Sequence, residues 1–280
     1  MTDMQTYPIY QIDAFTDKLF AGNPAAVVIL DTFLPIKTMQ ALALENNLSE
    51  TAFVVARKDG DYDLRWFTPL HEVDFCGHAT IASAHVMLSE LGAHSPITFR
   101  TKIGTLHVSL TQDGYEMQAP VFEMEQIELT AHFLDAFNQL PNAAWQSRKN
   151  IFLMFPNAKS VAEFKPDFSV ISALSSQKNV DDGLIIMAPG DSDIGATYAR
   201  YDFVSRYFVP AFGIDEDPVT GSNHASLAPF WGDRLDKQEM LAYQASARGG
   251  ALKLRLEKNS VFITGQAVTY MQGAFRLYKA

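Results

Sequence analysis

The 280-residue sequence predicts an α+β protein of two pseudo-symmetric halves, each a mostly antiparallel curved sheet wrapped around one apolar central helix. Three observations predict it. The chain repeats itself: Arg65-Trp66-Phe67-Thr68-Pro69, followed by Gly77-His78-Ala79, returns as Arg206-Tyr207-Phe208-Val209-Pro210, followed by Gly221-Ser222-Asn223-His224-Ala225. A second echo pairs Gly104-Thr105-Leu106-His107-Val108 with Gly250-Ala251-Leu252-Lys253-Leu254. The offset is 141 from Arg65 to Arg206 and 146 from Gly104 to Gly250, about half the chain, which fits an internal duplication and not the short period of a solenoid. Short runs with β character dominate both halves, and each half holds one stretch of small apolar residues able to form a buried helix.

Taken in order, Ile9 to Phe15 alternates, Ala25 to Leu30 is continuously apolar, and Thr51 to Ala56 is β-branched and aromatic. Leu64 to Phe67, Leu106 to Leu110 and Tyr115 to Ala119 complete the strands of the first half. A helix is predicted from Pro35 to Glu45, with Ile36, Met39, Leu42 and Ala43 on one face. A second runs from Cys76 through Ile81, His85 and Leu88 to a stop at Gly92. In the second half, Ile151 to Phe155, Leu184 to Ala188, Tyr198 to Phe203 and Arg206 to Val209 read as strands, and Ser222 to Arg234 as the matching helix. Pro120 to Gln126 reads as the linker, so the halves are residues 1–120 and 121–267. A seam between like halves is a favoured place for a small-molecule site, and the active site is expected in that cleft.

Composition narrows the function. Nearly half of the residues are apolar, 48%, and 19% are charged, as in ordinary globular proteins. A formal charge of −10 with no basic stripe argues against nucleic acid as a partner. The single cysteine, Cys76, excludes an internal disulfide framework and fits a reducing compartment. No leader-like segment and no apolar run of membrane-spanning length is visible, so the expectation is a cytoplasmic protein with no membrane partner. Asp181-Asp182-Gly183 and Gly190-Asp191 read as turns. No phosphate-binding loop, dinucleotide fingerprint or zinc motif occurs. His71, His78 and His85 recur every seven residues, yet no cysteine or carboxylate at ligand spacing accompanies them, so neither a metal nor a cofactor is expected.

The two helix starts are the strongest chemical feature. Asp74 can cap the first, and Gly77 lets a ligand approach the backbone. Asp217-Pro218-Val219-Thr220-Gly221-Ser222 offers the second. Free N–H groups and the positive dipole end make each an anion site, although capped core helices would look the same. Glu45 is the second candidate: at the C-terminal end of its helix the dipole disfavours an anion, which is the setting of a general acid/base. Taken alone, it also reads as an exposed helix glutamate.

Together these segments resemble the PhzF-type phenazine-biosynthesis family, of the diaminopimelate-epimerase-like fold. The resemblance rests on Phe20-Ala21-Gly22-Asn23-Pro24, Glu45-Asn46-Asn47-Leu48-Ser49-Glu50-Thr51, Arg65 through Thr80, Ser205-Arg206-Tyr207-Phe208, Gly213 through His224, and Gln244 through Gly250. It implies a final strand near Gly273 to Tyr278 that returns, over 268–280, to the first half. It implies isomerisation without metal or cofactor, by moving a proton within a small carboxylate-bearing substrate that is dihydro-hydroxyanthranilate-like or amino-acid-like. By resemblance Glu45 falls on the catalytic acid/base position and His78 and Asp217 on assisting positions. Gly77, Gly221 and Ser222 fall on the carboxylate clamp, flanked by Cys76 and Thr220, and a homodimer is implied. Racemases of the wider fold use one cysteine at each helix start; here Val219 and Thr220 occupy the second, which excludes a two-thiol mechanism. Asn223 stands where many relatives carry a small residue. Two alternatives remain: an amino-acid epimerase using Glu45 with Cys76, and a non-catalytic small-ligand-binding or interaction protein.

Overall fold

The computed structural model describes residues 4–129, 141–148, 150–177, 183–192, 196–210 and 213–278. The chain divides into two compact units, Met1–Gln118 with Thr264–Ala280, and Ala119–Ile263. Asp181 and Asp182, read as part of a turn, lie outside the described residues.

In the first unit, β1 (Met4–Ala14) pairs antiparallel with β2 (Asn23–Leu30), and β2 pairs parallel with β3 (Glu50–Ala56). β4 (Tyr62–Phe67) is antiparallel to β3 and to the short β5 (Glu72–Val73), and parallel to β6 (Ile97–Thr101). β7 (Gly104–Thr111) joins β6 to β8 (Gly114–Pro120) in an antiparallel meander. The continuously apolar β2 and β3 are covered on both faces, as buried parallel strands must be. α1 (Ile36–Asn46) covers one face, with Met39 and Ala43 packed against Val28, Phe53 and Phe67. α2 (Gly77–His85) covers the other and touches β1, β2 and β3. All nine of its residues are buried, the outcome expected of a helix that is apolar or small on every face. It continues as one π-helical turn, Val86–Glu90.

The second unit repeats this wiring. β9 (Glu125–Ile127) pairs antiparallel with β10 (Ala143–Ser147), which pairs antiparallel with β11 (Asn150–Met154). After α3 (Ala158–Ala162) and α4 (Phe168–Gln177), β12 (Leu184–Pro189) lies parallel to β11. β13 (Phe203–Val209) is antiparallel to β12 and to β14 (Ile214–Asp217). α5 (His224–Leu235) follows, and then β15 (Glu239–Gln244), which is parallel to β13 and antiparallel to β16 (Gly250–Glu257). β17 (Ser260–Gly265) then leads into β18 (Ala267–Tyr278), which pairs antiparallel with β1. The sequence β2-β3-β4-β5-α2-β6 thus matches β11-β12-β13-β14-α5-β15 in both order and strand direction. This is the α+β architecture of the diaminopimelate-epimerase-like fold.

The repeated Arg-aromatic-Phe has a structural cause. Arg65 on β4 makes two hydrogen bonds to Glu72 on β5, at 2.7 and 2.8 Å, over the Phe67 ring. Arg206 on β13 does the same to Glu216 on β14, at 2.7 and 2.8 Å, over Phe208. Each pair ties a short strand to its neighbour just before the helix start.

Three details depart from the sequence reading. Tyr198 to Asp202 is a turn and not a strand, because Tyr198 N–H is taken by the Asp191 side chain and Tyr201 N–H by the Tyr198 carbonyl. The N-cap of α2 is Cys76 and not Asp74, and no side chain caps it. The second helix opens with a 3-10 turn, Gly221–Asn223, before α5. Pro229 sits inside α5 and has no N–H for the Ala225 carbonyl. Phe122 N–H donates to that carbonyl instead, at 2.9 Å, so the segment after β8 is pinned to the helix.

Candidate active site

The start of α2 gathers a buried polar group from three elements. Gly22 (φ +63°) turns the chain from β1 into β2 in a conformation that a side chain would oppose: a Cβ there would lie 2.1 Å from the Ala14 carbonyl oxygen. That turn delivers Asn23, the first residue of β2, whose amide lies 3.0 Å from His78 Nδ1. Glu50, the first residue of the parallel neighbour β3, places Oε2 3.0 Å from His78 Nε2. Cys76 Sγ lies 3.5 Å from Nδ1 and 3.9 Å from Nε2 of the same ring. The His78 side chain is 3% exposed and that of Glu50 15%.

Burial sets the protonation states. It pushes the Cys76 thiol up to about 11, helped by the Glu50 charge and opposed by His78. For His78, burial pulls downward while Cys76 and Glu50 push upward, and the net direction is well above an ordinary imidazole. With the thiol pushed up, Glu50 is the neighbour whose charge favours the protonated form of His78. It is the amide nitrogen of Asn23 that faces Nδ1, and which of the two atoms donates depends on the tautomer of the ring. The result is a carboxylate and an imidazole 3.0 Å apart beside a helix start whose backbone N–H groups no side chain caps.

The start of the second helix is built differently. Asp217, the buried last residue of β14, accepts a very short hydrogen bond from the Thr220 hydroxyl. Gln244, the last residue of β15, is 1% exposed. Its Nε2 donates to the Asp217 carbonyl (2.7 Å) and to Thr220 Oγ1 (3.2 Å), and its Oε1 accepts from Thr220 N–H (2.8 Å). Because Gln244 donates to the Thr220 hydroxyl oxygen, that hydroxyl's only proton is directed to Asp217. His224 donates from Nδ1 to the Thr220 carbonyl at 2.9 Å, and burial pushes it down to about 4, so it is a neutral imidazole. Gly221 is buried and Ser222 half-buried, again with no side-chain cap.

The residues singled out in the sequence divide accordingly. His78, Gly77 and Cys76 meet at the first start, and Asp217, Thr220, Gly221 and Ser222 at the second. Glu45 lies exposed, next to last in α1. His71 is exposed in a turn, and His85 is hydrogen-bonded to Tyr115 and Thr269, both at 2.8 Å, so the seven-residue histidine spacing does not make a cluster. Glu50, Asn23 and Gln244 lie in the stretches that carry the family resemblance, but the sequence reading assigns them no role. The available signal was a polar side chain at the end of an otherwise apolar strand, where it costs burial energy unless something pairs with it.

This fold and these two helix starts define the class, and comparison with known proteins agrees. The chain matches the PhzC-PhzF family, phenazine biosynthesis-like proteins, over residues 12–273, and belongs to it. It is 42% identical to an uncharacterized isomerase of Halalkalibacterium halodurans over 98% of this chain and all of the relative. A crystal structure of a PhzF-family protein from Enterococcus faecalis is similar with a TM-score of 0.87, at 39% identity, over 97% of this chain and 99% of that one. A hydroxyproline epimerase from Agrobacterium vitis shares the fold at 12% identity, with a TM-score of 0.60 over 98% of this chain and 93% of that one.

Proposed function

We propose that the chain is an isomerase that moves a proton between two carbons of a small carboxylate-bearing substrate, with Glu50 as the acid/base. The observation that carries this reading is the Glu50–His78 contact of 3.0 Å beside the uncapped start of α2. Relatives of nearly full-length match that bear the name isomerase support it. In the proposed cycle the N–H groups at Gly77 and His78 hold the substrate carboxylate and receive the negative charge that spreads onto it. Glu50 takes a proton from one carbon and returns it to another of the same conjugated system, so the reaction is redox-neutral. Protonated His78 steadies the carboxylate of Glu50 and the developing charge. Asp217, oriented by Thr220, serves the substrate's amine or hydroxyl, and Gly221 and Ser222 complete the clamp. The proposed cycle uses neither metal nor cofactor.

Glu50 takes the role expected of Glu45, because Glu45 is exposed and Glu50 is paired with the histidine. Proton NMR in heavy water, with a panel of cyclic and α-amino carboxylic acids, tests this. Carbon-bound deuterium should appear in one compound with wild type and with Glu45→Gln. It should fall by about 10²-fold or more with Glu50→Gln. Exchange surviving in Glu50→Gln and lost in Glu45→Gln would return the role to Glu45. Binding of a panel member without exchange would favour the ligand-binding reading.

A further inference from the structure

We propose that Glu50, Cys76 and His78 form a binding site for a thiophilic divalent cation of the zinc class, which on binding silences the acid/base group. The silencing rests on the function proposed above; the site itself does not.

The donor set is one carboxylate, one thiol and one imidazole, a mixed S, N, O set of the kind that zinc takes from proteins. Their donor atoms lie within 4.8 Å of one another. A tetrahedral zinc with bonds of about 2.0–2.3 Å needs its ligand atoms roughly 3.3–3.6 Å apart. Two of the three edges are close to that: 3.0 Å from Glu50 Oε2 to His78 Nε2, and 3.9 Å from Nε2 to Cys76 Sγ. The third, from Glu50 to Cys76, lies within 4.8 Å, and Glu50 is the least buried of the three. Oε2 is buried with no aligned hydrogen-bond donor despite the short contact, so it has a lone pair to give. The imidazole is also held as metal-binding histidines are. Its other nitrogen, Nδ1, lies 3.0 Å from the Asn23 amide nitrogen, and with that amide turned over its oxygen accepts from Nδ1–H and directs Nε2 toward Glu50. The backbone contributes as well, since Cys76 and His78 flank the first turn of a buried helix and their positions are fixed by its packing. Three protein ligands leave a fourth position for water. On coordination the thiol proton and the proton on Nε2 leave to solvent, and no electron moves.

The occupant would use the same Glu50 carboxylate and His78 nitrogen that proton transfer requires. A bound cation and a working acid/base pair are therefore mutually exclusive.

Cys76 is the only cysteine of the chain, so any thiolate-to-metal signal reports this site. Chelator-treated protein titrated with Co²⁺ should bind one ion per chain, with a near-ultraviolet thiolate-to-cobalt band and visible bands of tetrahedral intensity. Zn²⁺ should displace it. Cys76→Ser should abolish the thiolate band, Glu50→Gln should weaken Zn²⁺ by about tenfold or more, and Asn23→Ala should weaken it by about 10- to 100-fold. Cobalt bound without the thiolate band would overturn the site. So would one ion shared by two chains, or a band indifferent to Glu50→Gln and His78→Asn. Zn²⁺ should stop deuterium exchange at the concentrations that displace Co²⁺. A normal cobalt titration with no exchange in any acid would leave the site standing and remove the proposed function; exchange with no cobalt band would do the reverse.

Discussion

A buried side chain's meaning depends on the partner that the fold supplies, and the two buried helix-start histidines show it. His78 sits against a carboxylate and is driven well upward, whereas His224 meets the Thr220 carbonyl and the Phe203 ring and is driven down by burial to about 4. That difference has a consequence for stability. Between the unfolded value of 6.5 and the folded value of about 4, the unfolded chain binds a proton that folded His224 refuses. Its contribution is therefore complete above pH 6.5 and is lost as the pH falls toward 4. By pH 5 the loss should reach about 2 kcal/mol. Urea unfolding of wild type and His224→Asn at pH 7.5 and pH 5 should show it as a gap that narrows in acid. A gap independent of pH would mean that His224 is protonated in the folded protein.

At the scale of elements, the helix starts are shaped by the strands beside them. Gln244 closes β15 and holds both the Asp217 carbonyl and the Thr220 hydroxyl, so a side chain 24 residues after Thr220 fixes the start of the second helix. Gln244→Leu leaves Thr220 N–H without its acceptor and should cost about 1–3 kcal/mol. It also frees the Thr220 proton to turn from Asp217, so deuterium exchange should fall by more than the folded fraction accounts for. Gln244→Glu keeps the acceptor and should recover part of the stability but less of the exchange. Thermal unfolding and exchange, measured on the same samples, separate the two effects. The first start has no such glutamine: Asn23 and Glu50, heads of the parallel strands β2 and β3, stand there instead. The matching elements thus carry a carboxylate–imidazole contact in one unit and a carboxylate–hydroxyl hydrogen bond in the other.

For the whole molecule, the two units share one strand wiring, and the last strand departs from it. β18 runs the length of β1, from Met4 opposite Tyr278 to Ala14 opposite Ala267, and Phe275 stacks on Tyr7 at 5.5 Å. Removing residues 266–280 would strip β1 of its outer partner and leave an open sheet edge, a template for association with other chains. The truncated protein should aggregate and lose cooperative unfolding. A monodisperse product with the wild-type melting profile would show that β18 is dispensable. No helix among the described residues is long and apolar enough to cross a membrane.

Legible in the sequence were the periodicities: two like halves, a buried helix in each, and the apolar strand runs, Tyr198 to Asp202 excepted. These depend on contacts close in sequence and on the alternation of apolar side chains, which a single chain displays directly. It also placed Gly77, His78, Asp217 and Gly221 at helix starts, because glycine and capping chemistry are local. Only the tertiary structure decided which glutamate meets His78. Glu45 and Glu50 are five residues apart, and local reasoning favoured Glu45 for its place at a helix end. The parallel pairing of β2 with β3 brings Glu50, and not Glu45, to the start of α2 beside Asn23. Gln244 was hidden for the same reason: its partners lie on another strand and loop, and a hydrogen bond across that separation leaves no periodic trace in the sequence.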